Sequence, residues 1–392
     1  MMKRLSISVM MSVVLGALIC VSCTAESGSS PVAASRAAAE AKQTPAPKPN
    51  ERQRKIPLSS ATSVWGYYGV SPESPDAKRL CYALFPETID LKRKERHVVY
   101  PAQLWVCNAD GSNHRKLYEG KSAVHGGLSQ SWVDNNRIIF ATKSLTAIIN
   151  ANTGKIEFGP WKGFYLAHYS RGGKVLVYPI DESIKPKGLR ELDTATGKMR
   201  LVLPHDNINW HVQYSPNGKK VLFTTNNNSN LVLAGLDGGG VKVFGGVKPM
   251  HYQWFDDKSF FGYAHKGVVG VDFKKHRNHE LYRWDLNGKI IEHLAGHGCH
   301  GAGRADGEYF VGESWYFSPQ IVLRLYKRGQ RKPLAEIFSH RFAHVTWRNG
   351  GRHHVNPSFS RDGMRIYYNK AVNKNTTHAF CYDLTGLVAP MK

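Results

Sequence analysis

The sequence predicts an all-β protein, a seven-bladed β-propeller made of four-stranded antiparallel blades. Two turn signals that alternate along the 392-residue chain carry this prediction. One signal follows a strand and the other precedes one, and the pair recurs every 40–55 residues or so, roughly the length of a propeller blade. Gly and Pro punctuate the chain, aromatic residues are plentiful, and no sustained helical periodicity appears after residue 60, which argues against a helical fold.

The turn that follows a strand contains Asp or Asn together with Gly. These residues tolerate the positive φ angles that a tight hairpin requires. Such turns are NADG (108–111), NANTGK (150–155), DTATGK (193–198), LDGGG (236–240), DLNGK (285–289), DLTG (383–386) and, more weakly, YKRGQ (326–330).

The turn that precedes a strand is followed by an apolar run. The seven segments are SPDAKRLCYALF (74–85), WVDNNRIIFAT (132–142), SRGGKVLVYPI (170–180), SPNGKKVLFTT (215–225), FDDKSFFGYAH (255–265), RADGEYFVGES (304–314) and SRDGMRIYYNK (360–370). Together with the NADG-type ends, these openers resemble the propeller repeats of TolB-type periplasmic proteins. That resemblance implies a fold and leaves the function open.

The two ends of the propeller segment predict how the ring closes. After DLTG only LVAPMK remains, which is too short to supply a full outer strand. The segment 56–68, IPLSSATSVWGYY, precedes the first blade pattern and is expected to supply that strand. Closing the ring in this way would remove exposed sheet edges.

The first 55 residues predict export and a tether. Residues 1–23 have a basic start and an apolar run that ends in small residues, as in a signal peptide. Cys23 follows CVS and is expected to be the lipid-attachment cysteine of a bacterial lipoprotein, with simple signal cleavage as the alternative. Residues 24–55 are rich in Ala, Ser, Pro and Lys and should form a disordered tether, and the propeller should span 56–392. The expected location is the periplasm or the outer membrane.

Cysteine usage and charge restrict the partners. Export permits disulfides, and Cys81 and Cys107 are the best pair because their strands should be neighbours; two buried free thiols are the alternative. The formal net charge of +23 predicts an acidic oligosaccharide or another polyanion as partner, unless basicity is simply common to exported proteins of the source organism. Export and the lack of a recognition motif exclude nucleic acid. A monomer is expected, with membrane contact only through the lipid.

Histidines recur at one position of the repeat. Six residues before the Asp-like turn position, the last four blades have His211, His251, His300 and Asn356. Blades two and three have Leu128 and Leu166 there, blade one is too irregular to align, and His354 lies two residues before Asn356, on the same face of the strand.

Because the first strand of each blade lines the central channel, these side chains are expected to converge on one side of it. Imidazole suits Mn, Fe, Zn, Cu and Ni, and an amide oxygen suits harder ions such as Mn or Ca. The convergence therefore predicts a divalent metal of the manganese type. The alternative is that the polar groups bond only to backbone or trapped water, as polar residues near a propeller axis often do.

Segments of blades five to seven resemble oligogalacturonate lyases, seven-bladed propellers that cleave pectin fragments by metal-assisted β-elimination. The similar segments are FFGYAHKG (260–267), HGAGRADG (300–307) and HHVNPSFSRDGMRIYY (353–368). The resemblance implies His300 and His354 as metal ligands and His265 as the catalytic base. Asn356 stands where the family has a second ligand His, Gly351 falls at the position of a Gln ligand, and a catalytic Arg has no counterpart.

These departures leave two readings of the function open. In the first, His300, His354 and Asn356 hold the metal, with His353, His251 and Cys299 as possible substitutes. His265 removes the C5 proton, and the predicted substrate-binding residues are His211, His251, Lys266, Arg304, Arg352 and His353. In the second, the chain is a non-catalytic propeller that binds a protein or an acidic glycan. No G-x-S-x-G, P-loop, H-E-x-x-H or C-x-x-C motif occurs in the mature chain.

Overall fold

Seven four-stranded antiparallel sheets form the ring, and the predicted propeller is confirmed. The computed structural model describes residues 51–57, 59–87, 89, 99–208, 211–225, 230–245, 249–264, 279–314, 320–340, 354–373 and 375–391. The predicted signal segment, Cys23 and most of the predicted tether lie outside these residues and stay predictions. Within the described part of the chain, no helix has the length and apolar character needed to cross a membrane.

Each blade is a meander whose first strand lies nearest the axis. Blade one contains β2 (Thr62–Val64), β3 (Arg79–Phe85), β4 (Tyr100–Asn108) and β5 (Arg115–Ser122); blade two contains β6 (Ser131–Trp132), β7 (Arg137–Ala141), β8 (Leu145–Asn150) and β9 (Ile156–Lys162); blade three contains β10 (Phe164–Arg171), β11 (Lys174–Pro179), β12 (Gly188–Asp193) and β13 (Met199–Pro204). A single 3-10 turn, Val124–Gly126, joins blades one and two within the described residues.

The remaining blades repeat this order. Blade four contains β14 (Gln213–Tyr214), β15 (Lys220–Thr225), β16 (Asn230–Gly235) and β17 (Lys242–Gly245); blade five contains β18 (Met250–Asp256), β19 (Ser259–Tyr263), β20 (Leu281–Asp285) and β21 (Ile290–Ala295); blade six contains β22 (Gly301–Gly303), β23 (Tyr309–Glu313), β24 (Ile321–Lys327) and β25 (Ala335–His340); blade seven contains β26 (Ser358–Phe359), β27 (Arg365–Ala371), β28 (Thr377–Asp383) and β1 (Gln53–Lys55).

The expected circular closure occurs, but a different segment provides it. Strand β1 pairs antiparallel with β28, with Gln53 opposite Tyr382 and Lys55 opposite Phe380. The segment 56–68 instead supplies β2, the innermost strand of blade one. The predicted boundary at residue 56 is therefore wrong, because the last residues assigned to the tether form the outer strand of blade seven.

The apolar core is distributed over the seams between blades. The described residues form seven hydrophobic clusters, and each contains side chains from two neighbouring blades, including one that joins blade seven to blade one. Since a blade buries its two faces only against its neighbours, the ring must close for every seam to be complete.

The expected Cys81–Cys107 disulfide is wrong, and the alternative of two buried free thiols is what the structure has. The strands are neighbours as predicted, but Cys81 lies opposite Val106 and Leu80 lies opposite Cys107. Successive side chains of a strand point to opposite faces, so an offset of one residue separates the two sulfurs. Cys81 packs in the seam with blade two and Cys107 in the seam with blade seven.

Candidate functional site

The hairpin registers show that the predicted histidine positions are structurally equivalent. The last pairs before the hairpin turns of blades four, six and seven are Tyr214–Val221, Gly303–Phe310 and Phe359–Ile366. Blade five has Trp254 opposite Phe260. His211, His251, His300 and Asn356 each lie three residues before the first member of the pair in their own blade. They therefore enter the innermost strands at the same level.

Blade two fits this register one residue later than predicted. Its last pair is Trp132–Ile138, so the equivalent residue is Ser129 and Leu128 is wrong. The reason is that the hairpin turn of blade two is one residue shorter. The N–H of Val133 donates to the carbonyl of Arg137, whereas in blade four the N–H of Ser215 donates to the carbonyl of Lys220. Leu128 itself packs in the seam between blades one and two, as Leu166 does between blades two and three.

A left-handed backbone conformation accompanies this position in blades two, four, five and seven, but not at His300 in blade six. His211, His251, Asn356 and Ser129 have φ angles of 63°, 45°, 44° and 48°. Residues other than Gly seldom adopt this region, and where they do the surrounding structure must hold them. Ser129 has the same conformation as His211 and His251 although it has no imidazole. We therefore attribute the left-handed conformation to the way the chain enters a blade.

An insertion in blade one explains why its sequence could not be aligned. Between the pairs Val64–Ala83 and Glu73–Leu80, eight residues on the inner strand face two on β3. The inserted loop is fastened to blade seven by a hydrogen bond of 3.0 Å from the N–H of Gly69 to the carbonyl of Pro357. Gly69 has φ of +70°, and a Cβ there would lie 2.6 Å from Nε2 of Gln253. The loop carries Tyr67 and Tyr68.

Seven rings meet around the axis in an unbroken circle. The centroid distances between successive rings are 5.3 Å (His211–His251), 3.9 Å (His251–His300), 4.3 Å (His300–His354), 4.5 Å (His354–His125), 5.7 Å (His125–Tyr67), 4.5 Å (Tyr67–Tyr68) and 5.8 Å (Tyr68–His211). We call these seven residues, together with Glu313 and Asn356, the axial cluster. Blades one and four to seven and the 3-10 turn all contribute to it.

Glu313 is the acidic member of the axial cluster. It ends β23, directly opposite His300 in the hairpin, and it is 2% exposed. One carboxylate oxygen accepts a hydrogen bond of 3.1 Å from the N–H of Val355, and the other contacts Nδ1 of His300 and lies 3.9 Å from Nδ1 of His354. Burial raises the pKa of Glu313 to about 8, so a cation nearby would be needed to keep it fully ionised at neutral pH.

The buried imidazoles are held in the neutral form. Burial lowers the pKa of His251 to about 4, against the effect of its hydrogen bond to the carbonyl of Cys299. Burial, with neighbouring imidazoles second, lowers the pKa of His300 well below its usual range. Neutral imidazole is the form that coordinates a metal.

The donor set fits a divalent metal. Ligand atoms of His300, Glu313 and His354 lie within 4.8 Å of one another, and so do those of His251, Cys299 and His300. Asn356 is 1% exposed, its Nδ2 donates to the carbonyl of His125 at 3.3 Å, and its buried Oδ1 accepts a hydrogen bond from no described residue. A buried acceptor left without a donor is a group that a bound cation would satisfy.

The predicted site residues do not all reach the axial cluster. His211, His251, His300, His354 and Asn356 do, whereas Arg304 lies in the turn after β22. Its buried guanidinium pairs with Asp306, donates to the carbonyl of Ala389 at 2.6 Å and stacks on Tyr309. Those contacts stabilise a turn, so substrate binding by Arg304 finds no support in the geometry. His265, Lys266, Gly351, Arg352 and His353 lie outside the described residues.

Four members of the axial cluster were not among the site residues predicted from the sequence. Tyr67 and Tyr68 come from the insertion, and His125 comes from a linker outside the repeat, so no repeat register could find them. For Glu313, by contrast, the sequence does contain a pattern that could have identified it. The turn RADG at 304–307 places it opposite His300, and it is a lone acidic residue in an otherwise apolar strand.

Comparison with solved structures supports the fold. An oligogalacturonate lyase in complex with manganese matches with a TM-score of 0.60 and 14% identity, covering 84% of this chain and 92% of that one. An oligogalacturonate lyase from Vibrio parahaemolyticus matches with a TM-score of 0.61 and 14% identity, covering 85% of this chain and 93% of that one. TolB from Acinetobacter baumannii matches at 15% identity over 74% and 80%, but its TM-score of 0.41 supports no inference.

No protein-family model matches the sequence, and the search of curated proteins finds no match. At these identities the likeness concerns the fold alone. The chain is a seven-bladed β-propeller similar in fold to the oligogalacturonate lyases.

Proposed function

We propose that this chain is an exported, metal-assisted lyase that cleaves an acidic uronate oligosaccharide by β-elimination. The observation that carries the proposal is the meeting of His300, Glu313 and His354, whose ligand atoms lie within 4.8 Å of one another. Asn356, two residues after His354, adds a buried Oδ1 that has no described donor. A manganese complex of a lyase with the same fold supports a divalent metal as the cofactor.

In this proposal the residues of the axial cluster hold the cofactor and exclude water from it. His300, His354 and Asn356 would be the ligands, and an ionised Glu313 would balance the charge of the cation and orient His300 through Nδ1. A divalent ion on the substrate carboxylate would stabilise the negative charge that develops when the neighbouring C5–H bond breaks. His265 takes that proton, the C4–O bond breaks, a C4=C5 double bond forms, and the leaving oxygen is protonated.

A cavity lined in part by Ser122 and Ala123, just before the 3-10 turn that carries His125, offers space for the sugar chain. It has a volume of about 420 Å³, within the range of ligand pockets, and it lies between the ends of blades one to four. Tyr165, which lines it, bonds through its hydroxyl to Ser129 at 2.8 Å, so the cavity reaches the level of the axial register. Lys143 lines the same cavity and could meet a uronate carboxylate, as could Lys266, Arg352 and His353 beyond the described residues. Lys187 also lines it, but its ammonium pairs with Glu182.

Metal analysis and a product assay test the proposal. Purified protein is expected to contain or take up one manganese-type ion, and oligogalacturonate with added Mn²⁺ should give the ultraviolet absorbance of an unsaturated uronate. His300→Gln and His354→Gln should lose both properties. His378→Gln is the matched control, since His378 is equally buried but lies on β28 in the blade seven seam region.

A second candidate is a non-catalytic propeller that binds an acidic glycan or a protein at the cell envelope. The commitment of Arg304 to Asp306, the substitution of Asn356 for a ligand His and the lack of a catalytic Arg favour it. Absence of both metal and product, with retained glycan binding, would select this candidate. A bound metal without product would instead indicate a related chemistry on another acidic substrate.

A further inference from the structure

His251 packs directly against His300, and its ligand atom lies within 4.8 Å of one on His300. It is stacked on His300 with a centroid distance of 3.9 Å and an interplanar angle of 22°. Its Nδ1 lies 2.9 Å from the backbone carbonyl of Cys299. A carbonyl can only accept a hydrogen bond, so Nδ1 of His251 carries the proton and Nε2 retains its lone pair.

Three consecutive imidazoles share this arrangement. Nδ1 of His300 contacts the carboxylate of Glu313, and Nδ1 of His354 faces the same carboxylate oxygen at 3.9 Å. Metal-binding histidines characteristically donate their second nitrogen to a carboxylate or a backbone carbonyl, which fixes the tautomer and the ring orientation. The rings of His251 and His300 therefore have an acceptor at Nδ1, and Nδ1 of His354 has the same carboxylate 3.9 Å away. The centroids of successive rings among the three lie within 4.3 Å of each other.

The other nearby groups fit a ligand role less well. Cys299 supplies its carbonyl to His251, and its side chain belongs to the hydrophobic cluster between blades five and six. Ligand atoms of His251 and of His354 each lie within 4.8 Å of one on His300, in two sets that share only His300. Neither set contains His125 or His211.

We propose that His251 of blade five is a metal ligand, and that the centre consists of Nε2 of His251, His300 and His354 with Oδ1 of Asn356. The inference rests on the proposed function only for the presence of a divalent ion. It adds a ligand from blade five to those of blades six and seven. Three imidazoles and one amide oxygen still leave coordination positions for a substrate carboxylate.

Proton NMR of the Co²⁺-loaded protein tests the ligand set without using activity. Each histidine that binds through Nε2 keeps its Nδ1 proton, which gives an exchangeable, hyperfine-shifted signal that disappears in D₂O. We expect three such signals in the wild-type protein and two in His251→Gln. Two signals in the wild-type protein, unchanged in His251→Gln, would overturn the inference.

Metal competition with a chromophoric chelator provides the second readout. His251→Gln is expected to weaken Co²⁺ and Mn²⁺ binding at least tenfold, and Glu313→Gln about 10–100-fold through the lost orienting carboxylate. His378→Gln should bind the ions like the wild-type protein. Circular dichroism of each metal-free variant establishes that it is folded. The number of hyperfine-shifted signals in the wild-type protein is measured without any variant.

The outcomes separate this inference from the proposed function. A wild-type protein that binds no Co²⁺ or Mn²⁺ contradicts both. A protein that binds the ion with two imidazole signals keeps the proposed metal centre but excludes His251 from it. Three signals with no product from oligogalacturonate support the ligand set and contradict the lyase.

Discussion

The axial cluster buries polar side chains whose desolvation must be compensated. Asn356 is the clearest case among the described residues, because its Oδ1 is buried without a hydrogen-bond donor. An unsatisfied buried acceptor costs about 1–3 kcal/mol. Its backbone is also in the left-handed region, which Asn tolerates better than most side chains. The position is therefore unfavourable for the metal-free protein, and a bound cation would reverse that.

Asn356→Asp tests this account of the position. The metal-free variant should be less stable by about 1–3 kcal/mol at neutral pH, since a second carboxyl is then buried without a cation. Added Mn²⁺ should stabilise the variant more than the wild-type protein, because a carboxylate is a stronger ligand than an amide.

Urea unfolding with and without Mn²⁺ measures both effects. Asn217→Asp is the control, because Asn217 is exposed at a turn position where other blades have Asp. A metal-free Asn356→Asp protein as stable as the wild type would show that Oδ1 is already satisfied.

Among the elements, β1 decides whether the ring is closed. It contributes three residues, yet it covers the free edge of β28 and joins the two ends of the propeller. The preceding residue, Arg52, is 6% exposed and donates to the carbonyls of Asp383 and Thr385 at 3.2 and 2.7 Å. Hydrogen bonds from a charged donor contribute about 1.5–3 kcal/mol. The closure is therefore concentrated in a few residues at the end of the predicted tether.

Two truncations test the role of β1. Removal of residues 1–55 should lower the free energy of unfolding by several kcal/mol, because the edge of β28 and the carbonyls that Arg52 satisfies become exposed. Removal of residues 1–45 is the control and should leave the urea midpoint unchanged, since Arg52 and β1 both remain. Equal midpoints for both truncations would mean that β1 contributes nothing to closure.

In the whole molecule, stability is spread over seven seams, and the folded state keeps several histidines uncharged. Burial lowers the pKa values of His251 and His297 to about 4 and lowers those of His205, His293, His300 and His378 in the same direction. Glu313 acts in the opposite sense with its raised pKa. Because six imidazoles have lowered pKa values and Glu313 alone among these groups has a raised one, the histidines set the sign of the pH dependence of the free energy of unfolding.

Stability should fall as the pH decreases from about 6.5 toward 4.5. In this range the unfolded chain, with histidine pKa values of about 6.5, binds protons that the folded imidazoles do not, so acid favours unfolding. The contribution of each neutral histidine is complete above pH 6.5 and is lost below it, by up to about 1.4 kcal/mol per pH unit. Urea midpoints across this range measure the slope, and His378→Gln should reduce it. A flat profile would show that the imidazoles are charged in the folded state.

Net charge governs the predicted encounter with acidic substrates. At +23 the protein should bind polygalacturonate with an affinity that falls steeply between about 0.05 and 0.5 M salt, because salt screens the attraction. Dextran, a neutral glycan, is the control and should show little binding at either salt concentration. Salt-independent binding of polygalacturonate would place its recognition in neutral contacts.

Local patterns were enough to predict the blades and part of the site. Turn chemistry and apolar runs identify hairpins from short stretches, and a fixed repeat makes equivalent positions visible, so His211, His251, His300 and Asn356 align on the repeat alone. The alignment was wrong by one residue in blade two, where a shorter turn shifts Ser129 into the position assigned to Leu128. A repeat register assumes a constant turn length, and that assumption failed there.

By itself the sequence determined the seven blades, their four-stranded form and the level at which three histidines and Asn356 meet the axis, because hairpins and their register depend on neighbouring residues. Only the tertiary structure decided that β1 closes the ring, that Cys81 and Cys107 lie on opposite faces, and that Tyr67, Tyr68, His125 and Glu313 complete the axial cluster. These features depend on strand offsets, on an insertion and on contacts between residues far apart in the chain. No local pattern of residues encodes such distances.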